Sequence, residues 1–138
     1  MTENIRAKIL AEALCEINRH GADFHMDDLA RNLRISKRTL YEHFSSKQEI
    51  IEQAISDFTN KIYTYHRRIV SDSTMTCEAK LIAYFDVPSD NWQVLSVRKA
   101  SELLTKMPDV WNRLQSRYEK DWRLLEQLLD EAQETGEF

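Results

Sequence analysis

Apolar residues recur at three- and four-residue spacing along most of the chain, which is the pattern of amphipathic helices. The first stripe runs from Ile5 to Ile17 and ends before Gly21, a residue suited to a left-handed C-terminal cap. The next stretch, ADFHMDDLARNL, predicts a short second helix that ends near Leu33, with His25 as its N-cap. A third short helix, KRTLYEHF, follows with Ser36 as its cap.

Four more helices follow this group. Ser45 and Gln48 match a capping box at the start of a long fourth helix, whose apolar stripe extends from Ile51 to Ile69. The segment SDSTMT separates it from a shorter helix, CEAKLIAYF, and a further helical pattern covers residues 91–107. Pro108 suits the first position of a last helix. Only two glycines and two prolines occur in 138 residues, too few turn residues for a sheet protein, so we expect an all-α fold.

Positive charge is concentrated between the second and fourth of these helices. Arg31, Arg34, Lys37 and Arg38 lie within eight positions, although the whole chain carries a net charge of −4. From residue 31 to residue 47 the local charge is +4, against −8 for the rest of the chain. The segment is either an ordinary solvated helix face or a surface that meets phosphate, and for DNA the local field matters more than the net charge.

The second and third helices have the layout of a helix-turn-helix, in which two short helices are joined by a turn of about three residues. Such a unit places the N-terminal residues of its second helix against base edges in the major groove. Lys37 and Arg38 can donate to guanine O6 and N7, and Thr39 can donate or make a methyl contact. Further donors suited to backbone phosphates are Tyr41, His43 and Lys47.

The segment DDLARNLRISKRTLYEHFSSKQEII resembles the N-terminal DNA-binding domain of the tetracycline-repressor-like (TetR/AcrR) family of bacterial transcriptional regulators. The likeness lies in the apolar positions, in the TLY-x-x-F core of the recognition helix and in the lysine shortly after it. The resemblance implies a repressor that binds inverted-repeat operator DNA as a homodimer and loses affinity when a small molecule enters its C-terminal domain. It also implies base-facing roles for Lys37, Arg38 and Thr39, and phosphate contacts for Ser36, Tyr41, His43 and Lys47.

The same resemblance divides the chain into two parts. A three-helix helix-turn-helix domain occupies residues 1–46, and a helical regulatory, effector-binding region occupies residues 47–138. The family usually continues into two further helices that build the dimer interface, whereas this chain stops at GEF. We expect either a truncated regulatory region or dimerisation through another surface. We expect the chain to dimerise weakly, or through an exposed apolar face of the last helix near Leu124, Leu125, Leu128 and Leu129.

Apolar side chains of the fourth to seventh helices are candidates for an effector pocket. Each of them also suits ordinary core packing. The expected effector is a small apolar or amphipathic molecule. The candidate residues are Phe58, Ile62, Tyr65, Phe85, Trp92, Trp111, Tyr118 and Trp122.

Two residues depart from the family pattern. Arg34 occupies the turn position usually filled by glycine, where it is either an additional phosphate contact or a plain exposed arginine. His25 stands where threonine or serine commonly caps the second helix, so it is either an imperfect cap or a cap that responds to protonation.

The sequence contains few signals of catalytic or metal-binding chemistry. The four histidines and the two cysteines, Cys15 and Cys77, lack metal-ligand spacing, and no nucleophile or phosphate-loop motif is present. We therefore expect no enzyme activity, no metal and no cofactor. No segment resembles a signal peptide or a membrane span, so we expect a cytoplasmic protein with no membrane partner. The alternatives to a regulator are a helical protein-interaction module and a small-molecule carrier that has lost DNA binding.

Overall fold

The computed structural model describes residues 4–86 and 97–136, and within these ranges it contains helices and no strand. A 3-10 turn, Gly21–Asp23, follows the first helix. The all-α expectation is confirmed. The helices are α1 (Ile5–His20), α2 (Met26–Leu33), α3 (Lys37–His43), α4 (Lys47–Val70), α5 (Cys77–Phe85), α6 (Val97–Thr105) and α7 (Pro108–Glu134).

The helix boundaries follow the local signals of the sequence. Gly21 ends α1 with φ 62°, and its N–H donates to the carbonyl of Ile17. Pro108 is the first residue of α7, a position where the missing N–H of proline costs no hydrogen bond. The helical pattern predicted for residues 91–107 is confirmed from Val97 onward, and its first six positions lie outside the described residues.

The N-cap of α4 lies one residue later than the sequence pattern predicted. Ser46, rather than Ser45, accepts a hydrogen bond from the backbone N–H of Glu49 at 3.1 Å. The carboxylate of Glu49, rather than the amide of Gln48, accepts from the backbone N–H of Ser45 at 3.3 Å. A carboxylate is a stronger acceptor than an amide because its hydrogen bond is charge-assisted, so Glu49 is well suited to hold the residue that precedes the N-cap.

The first compact unit contains the described residues up to Phe58 together with residues 97–112. Within it, α1 contacts both α2 and α6, and α2 contacts α3. The inward stripes of these helices and the first turns of α4 form its core. The largest fully buried side chains of this unit are Ile9, Ile17, Phe24, Leu29, Leu40, Phe44, Ile50, Ile51, Ile55 and Leu103.

The second compact unit contains residues 59–86 and 113–136 among those described. Its core joins Val70 of α4, Cys77 and Tyr84 of α5, and the α7 stripe of Leu125, Leu128 and Ala132. The expected exposed apolar face of α7 is therefore wrong for Leu125 and Leu128, which are buried within this unit. Leu124 packs against the same core, and Leu129 is 41% exposed.

Candidate nucleic-acid interface

The entry into α2 is fixed by hydrogen bonds at its first turn. His25 is the N-cap, as predicted, and its backbone N–H donates to the carboxylate of Asp28 at 3.0 Å. Arg31 also donates to this carboxylate. The hydrogen bond from Arg31, followed by that from the His25 N–H, lowers the pKa of Asp28. Phe24 and Leu29, which flank this turn at the N′ and N4 positions of a hydrophobic staple, are both buried.

The turn between α2 and α3 is closed by Arg34 in a left-handed conformation. Its φ is 58° and its ψ is 42°. The N–H of Arg34 donates to the carbonyl of Arg31 at 3.1 Å, and the N–H of Ile35 donates to the carbonyl of Ala30 at 3.0 Å. This pair of bonds is the Schellman motif, which ordinarily places glycine at the left-handed position.

The start of α3 is held by Ser36. Its hydroxyl oxygen accepts from the backbone N–H of Thr39 at 3.0 Å and donates to the Thr39 hydroxyl at 2.9 Å. Lys37 and Arg38 are exposed, whereas Leu40 is completely buried. The inward residues anchor α3 to the core, and the basic residues at its start face the solvent.

Carboxylates accompany the cations of this exposed surface. Lys37 Nζ lies 2.9 Å from Asp27 Oδ1, and Arg38 Nε lies 3.5 Å from Glu42 Oε1. The hydrogen bond and the charge of Asp27 raise the pKa of Lys37. Exposed ion pairs of this kind contribute at most about 1 kcal/mol, so phosphates or bases can displace the carboxylates at small cost.

The end of α3 is tied to α1 by a residue that the sequence reasoning missed. Arg6 donates to the carbonyl of His43 at 3.0 Å, and its guanidinium lies 4.3 Å from the centroid of the Phe44 ring. The His43 side chain is partly buried, and Tyr41 is 46% exposed. Arg6 lies 37 positions before His43, and nothing in its local sequence marks the contact.

Lys47 is turned towards the protein in this structure. Its ammonium donates to the main-chain carbonyls of Ala22 and Phe24 and lies 4.6 Å from the centroid of the Phe24 ring. Burial lowers the pKa of Lys47. The side chain thus fastens the start of α4 to the 3-10 turn, and its phosphate contact stays a prediction.

Residues 9–54, which include α2, α3 and the first turns of α4, match the family model described as bacterial regulatory proteins, tetR family. Over these residues the chain carries a TetR-type DNA-binding domain. An uncharacterised HTH-type transcriptional regulator of Bacillus subtilis, YvaF, is 28% identical over 127 residues, which are 92% of this chain and 67% of the relative. No solved structure matches the chain. The geometry and the family together make this chain a DNA-binding transcriptional regulator.

The effector candidates fall in both compact units. Phe58 and Trp111 belong to the first unit, and Trp92 lies outside the described residues. In the second unit, Phe85 and Trp122 are 70% and 61% exposed. The remaining candidates of that unit, which are partly buried, are Ile62, Tyr65 and Tyr118.

An open cleft of about 630 Å³ in the second unit is lined by other residues. Its walls are mainly polar and include Lys80, Arg123, Glu126 and Asp130. None of the predicted effector residues lines this cleft. Tyr65 instead donates its hydroxyl to the carbonyls of Ala83 and Asp86, each at 2.9 Å.

A polar cluster in the second unit was also missed by the sequence reasoning. His66 Nδ1 lies 2.7 Å from Asp121 Oδ1, and His66 Nε2 lies 2.8 Å from the carbonyl oxygen of Tyr84. The Tyr84 hydroxyl donates to the Asp121 carbonyl and carboxylate at 3.1 and 3.2 Å. Burial, then the charge of Asp121, raises the pKa of Tyr84 above its ordinary range. The cluster links α4, α5 and α7 within this unit.

Among residues 4–86 and 97–136, no group of three or more His, Cys, Asp or Glu side chains is arranged to hold a metal ion. No helix in these ranges combines the length and the apolar character that crossing a membrane requires.

Proposed function

We propose that this protein is a TetR-family, sequence-specific repressor that binds an inverted-repeat operator as a homodimer and releases it when a small apolar or amphipathic molecule binds. The observation that carries the proposal is the orientation of α3. Leu40 of this helix is completely buried, and the first basic residues of the helix are exposed. A helix held in this way can enter the major groove without loss of its packing.

Three residues at the start of α3 are the proposed base readers. Lys37 and Arg38 leave Asp27 and Glu42 when they donate to guanine O6 and N7. The Thr39 hydroxyl accepts from Ser36, so it keeps its own proton and its methyl group for a base contact.

The proposed phosphate contacts differ in how far they are available. Tyr41 is exposed and His43 is partly exposed, so their donors can reach a phosphate. Ser36 has to redirect its hydroxyl from Thr39. Lys47 has to leave two main-chain carbonyls, so its contact carries the largest rearrangement of the four.

The proposed homodimer is what an inverted-repeat operator requires. Two recognition helices read an inverted repeat when their half-sites lie about one helical turn, ~34–36 Å, apart. Leu125 and Leu128 are buried within one chain, so they do not form the proposed dimer surface. The exposed apolar side chains left on α7 of the second unit are Trp122 and Leu129.

The effector response is proposed for the second unit. Candidate ligand contacts there are Phe85 and Trp122, because large apolar side chains that are mostly exposed gain stability when a ligand covers them. The polar cleft between Lys80 and the acids of α7 lacks the apolar lining that the proposed ligand needs.

Salt dependence of binding to duplex DNA tests the proposal. Fluorescence anisotropy with a labelled duplex should show affinity that falls steeply and log-linearly as salt rises, because each neutralised phosphate releases counterions. If the protein does not bind duplex DNA, or if its affinity does not change with salt, DNA recognition would be refuted. A salt-insensitive apolar association between proteins would instead favour a helical interaction module.

A further inference from the structure

We propose that Arg34, in the turn between α2 and α3, is a phosphate-binding residue of the DNA interface. This inference rests on the proposed function, in which α3 enters the major groove. Arg34 lies two residues before the N-cap Ser36 and is exposed. Its guanidinium offers a planar fork of donors that matches the oxygens of a phosphate.

The backbone at Arg34 is the first argument. The other residues with positive φ in the described ranges are Gly21 and Gly136, whereas Arg34 carries a side chain at φ 58°. A left-handed conformation brings Cβ close to the neighbouring carbonyl oxygen, and glycine avoids this repulsion. An arginine at this position therefore does not improve folding, and a strained residue of this kind points to a function.

The charges around Arg34 are the second argument. Arg31, Lys37 and Arg38 each have a carboxylate partner in the free protein. Lys47 donates to two carbonyl oxygens instead. The side chain of Arg34 has no ion pair or hydrogen bond among the described residues.

These two arguments have one consequence. Between residues 31 and 47, Arg34 is the cation that binds phosphate without first breaking an intramolecular contact. The free energy that Arg34 gains from contacting a phosphate is therefore not reduced by the loss of an intramolecular contact. Because a phosphate contact carries no sequence information, Arg34 strengthens binding to every duplex alike.

Four variants of the full chain separate this role from a surface arginine with no role. Arg34→Gly removes the charge and relieves the left-handed backbone, and Arg34→Asn removes the charge with a residue that tolerates this conformation. Arg34→Lys keeps the charge. Arg123→Gln, at an exposed arginine of α7, changes the net charge equally and is the matched control.

The measurement is the affinity for a labelled random-sequence duplex of about 30 base pairs over a salt series, with denaturant midpoints measured in parallel. Arg34→Gly and Arg34→Asn should make the log–log salt slope shallower by about one unit and weaken binding about fivefold to tenfold near 0.1 M salt. Arg34→Lys and Arg123→Gln should keep the wild-type slope. The denaturation midpoint of Arg34→Gly should rise.

Each of the other outcomes contradicts one specific claim. If the wild type binds with a steep salt dependence and Arg34→Gly matches it, the inference is wrong and the proposed function stands. A loss of slope in Arg34→Lys or Arg123→Gln also overturns the inference, since the effect would then come from local disruption or from net charge. A lower midpoint for Arg34→Gly overturns the backbone argument. If the wild type binds no duplex, the proposed function and the inference both fail.

Discussion

Arg38 combines the largest exposure with the weakest ion pair among the proposed base readers. Its side chain is 90% exposed, and its Nε lies 3.5 Å from Glu42. Lys37 is less exposed, at 59%, and lies closer to its partner Asp27, at 2.9 Å. Because an exposed ion pair contributes little stability, Arg38 loses little free energy when it leaves Glu42 for a base.

Replacement of this residue gives the first prediction. Arg38→Ala should cost about 1–3 kcal/mol of specific binding and should relax the preference at one or two base pairs. Competition binding with single-base operator variants measures both effects. Arg98→Ala is the matched control, because Arg98 forms a similar pair with Glu102 at 3.4 Å and is 87% exposed. An unchanged base preference in Arg38→Ala would remove Arg38 from the base readers.

The acids that close the first turns of α2 and α4 give a pH prediction. Hydrogen bonds lower the pKa of Asp28 and Glu49 below their ordinary values of 3.8 and 4.5. Since the folded state favours the charged form, both acids contribute stability above those values and lose it as the pH falls through the lowered values. Wild type should therefore lose more stability on acidification than the double variant Asp28→Asn, Glu49→Gln.

Urea denaturation at about pH 6 and at about pH 3 measures this difference, because the two carboxylates take up protons in the unfolded chain between these values, whereas their lowered pKa favours the charged form in the folded chain. The double variant should start from a lower midpoint at the higher pH and should show a smaller change. If both proteins changed equally, the caps would not be a source of the acid sensitivity.

At the scale of the elements, α3 has only seven residues and is stabilised by packing against the core of the first unit. Phe44 is 1% exposed, and Leu40 is completely buried. Phe44→Ala should therefore destabilise the first unit by about 3–5 kcal/mol, the usual range for a buried phenylalanine. DNA affinity should fall with folding.

Thermal or denaturant unfolding followed by circular dichroism tests this prediction. Tyr41→Ala is the matched control on the same helix, because Tyr41 is 46% exposed and its loss should change stability by no more than about 0.5 kcal/mol. A Phe44→Ala variant with wild-type stability would contradict the packing of α3.

The sequence predicted the helices well and their exact caps less well. Both Ser45-x-x-Gln48 and Ser46-x-x-Glu49 fit the capping pattern, so the pattern alone does not choose between them. The choice depends on acceptor strength and on the three-dimensional path of the chain. The α7 stripe was predicted as well, but its partner was not, since the burial of Leu128 depends on residues of α4 and α5 far away in sequence.

The candidate interface also combines features that the sequence predicts with features that it does not. Exposure of Lys37 and Arg38 follows from the helical period, because Leu40 and Phe44 face inward. The partner of Lys37 and the inward turn of Lys47 do not follow from the period, because Asp27 and the Ala22 carbonyl belong to other elements. Sequence spacing predicts the face of a helix, and folding selects which polar groups meet there.

At the scale of the whole molecule, the two compact units contain different kinds of chemistry. The first unit holds the exposed basic surface of α3. The second holds a buried cluster in which His66 and Asp121 meet across 55 positions, and no local pattern predicts such a pair. The predicted domain boundary between residues 46 and 47 stays a prediction. It coincides with the start of α4, which begins at Lys47 and continues to Val70.

Oligomeric state also belongs to this scale. The exposed apolar side chains on α7 of the second unit are Trp122, 61% exposed, and Leu129, 41% exposed. Leu129→Glu should leave folding intact, whereas Leu128→Glu should unfold the second unit because Leu128 is completely buried. Light scattering over a concentration series, combined with circular dichroism, separates loss of association from loss of folding. A Leu128→Glu variant that stayed folded would contradict the packing of α7.

Selection of bound sequences from a random duplex library is the measurement that tests the central claim most directly, because it asks whether α3 reads bases at all. The full chain should enrich an inverted repeat whose half-sites lie about one helical turn, ~34–36 Å, apart. The Arg38→Ala variant should enrich the same repeat with one or two positions relaxed. A library that shows no enrichment after repeated selection with the folded protein would contradict the assignment of α3 as a recognition helix.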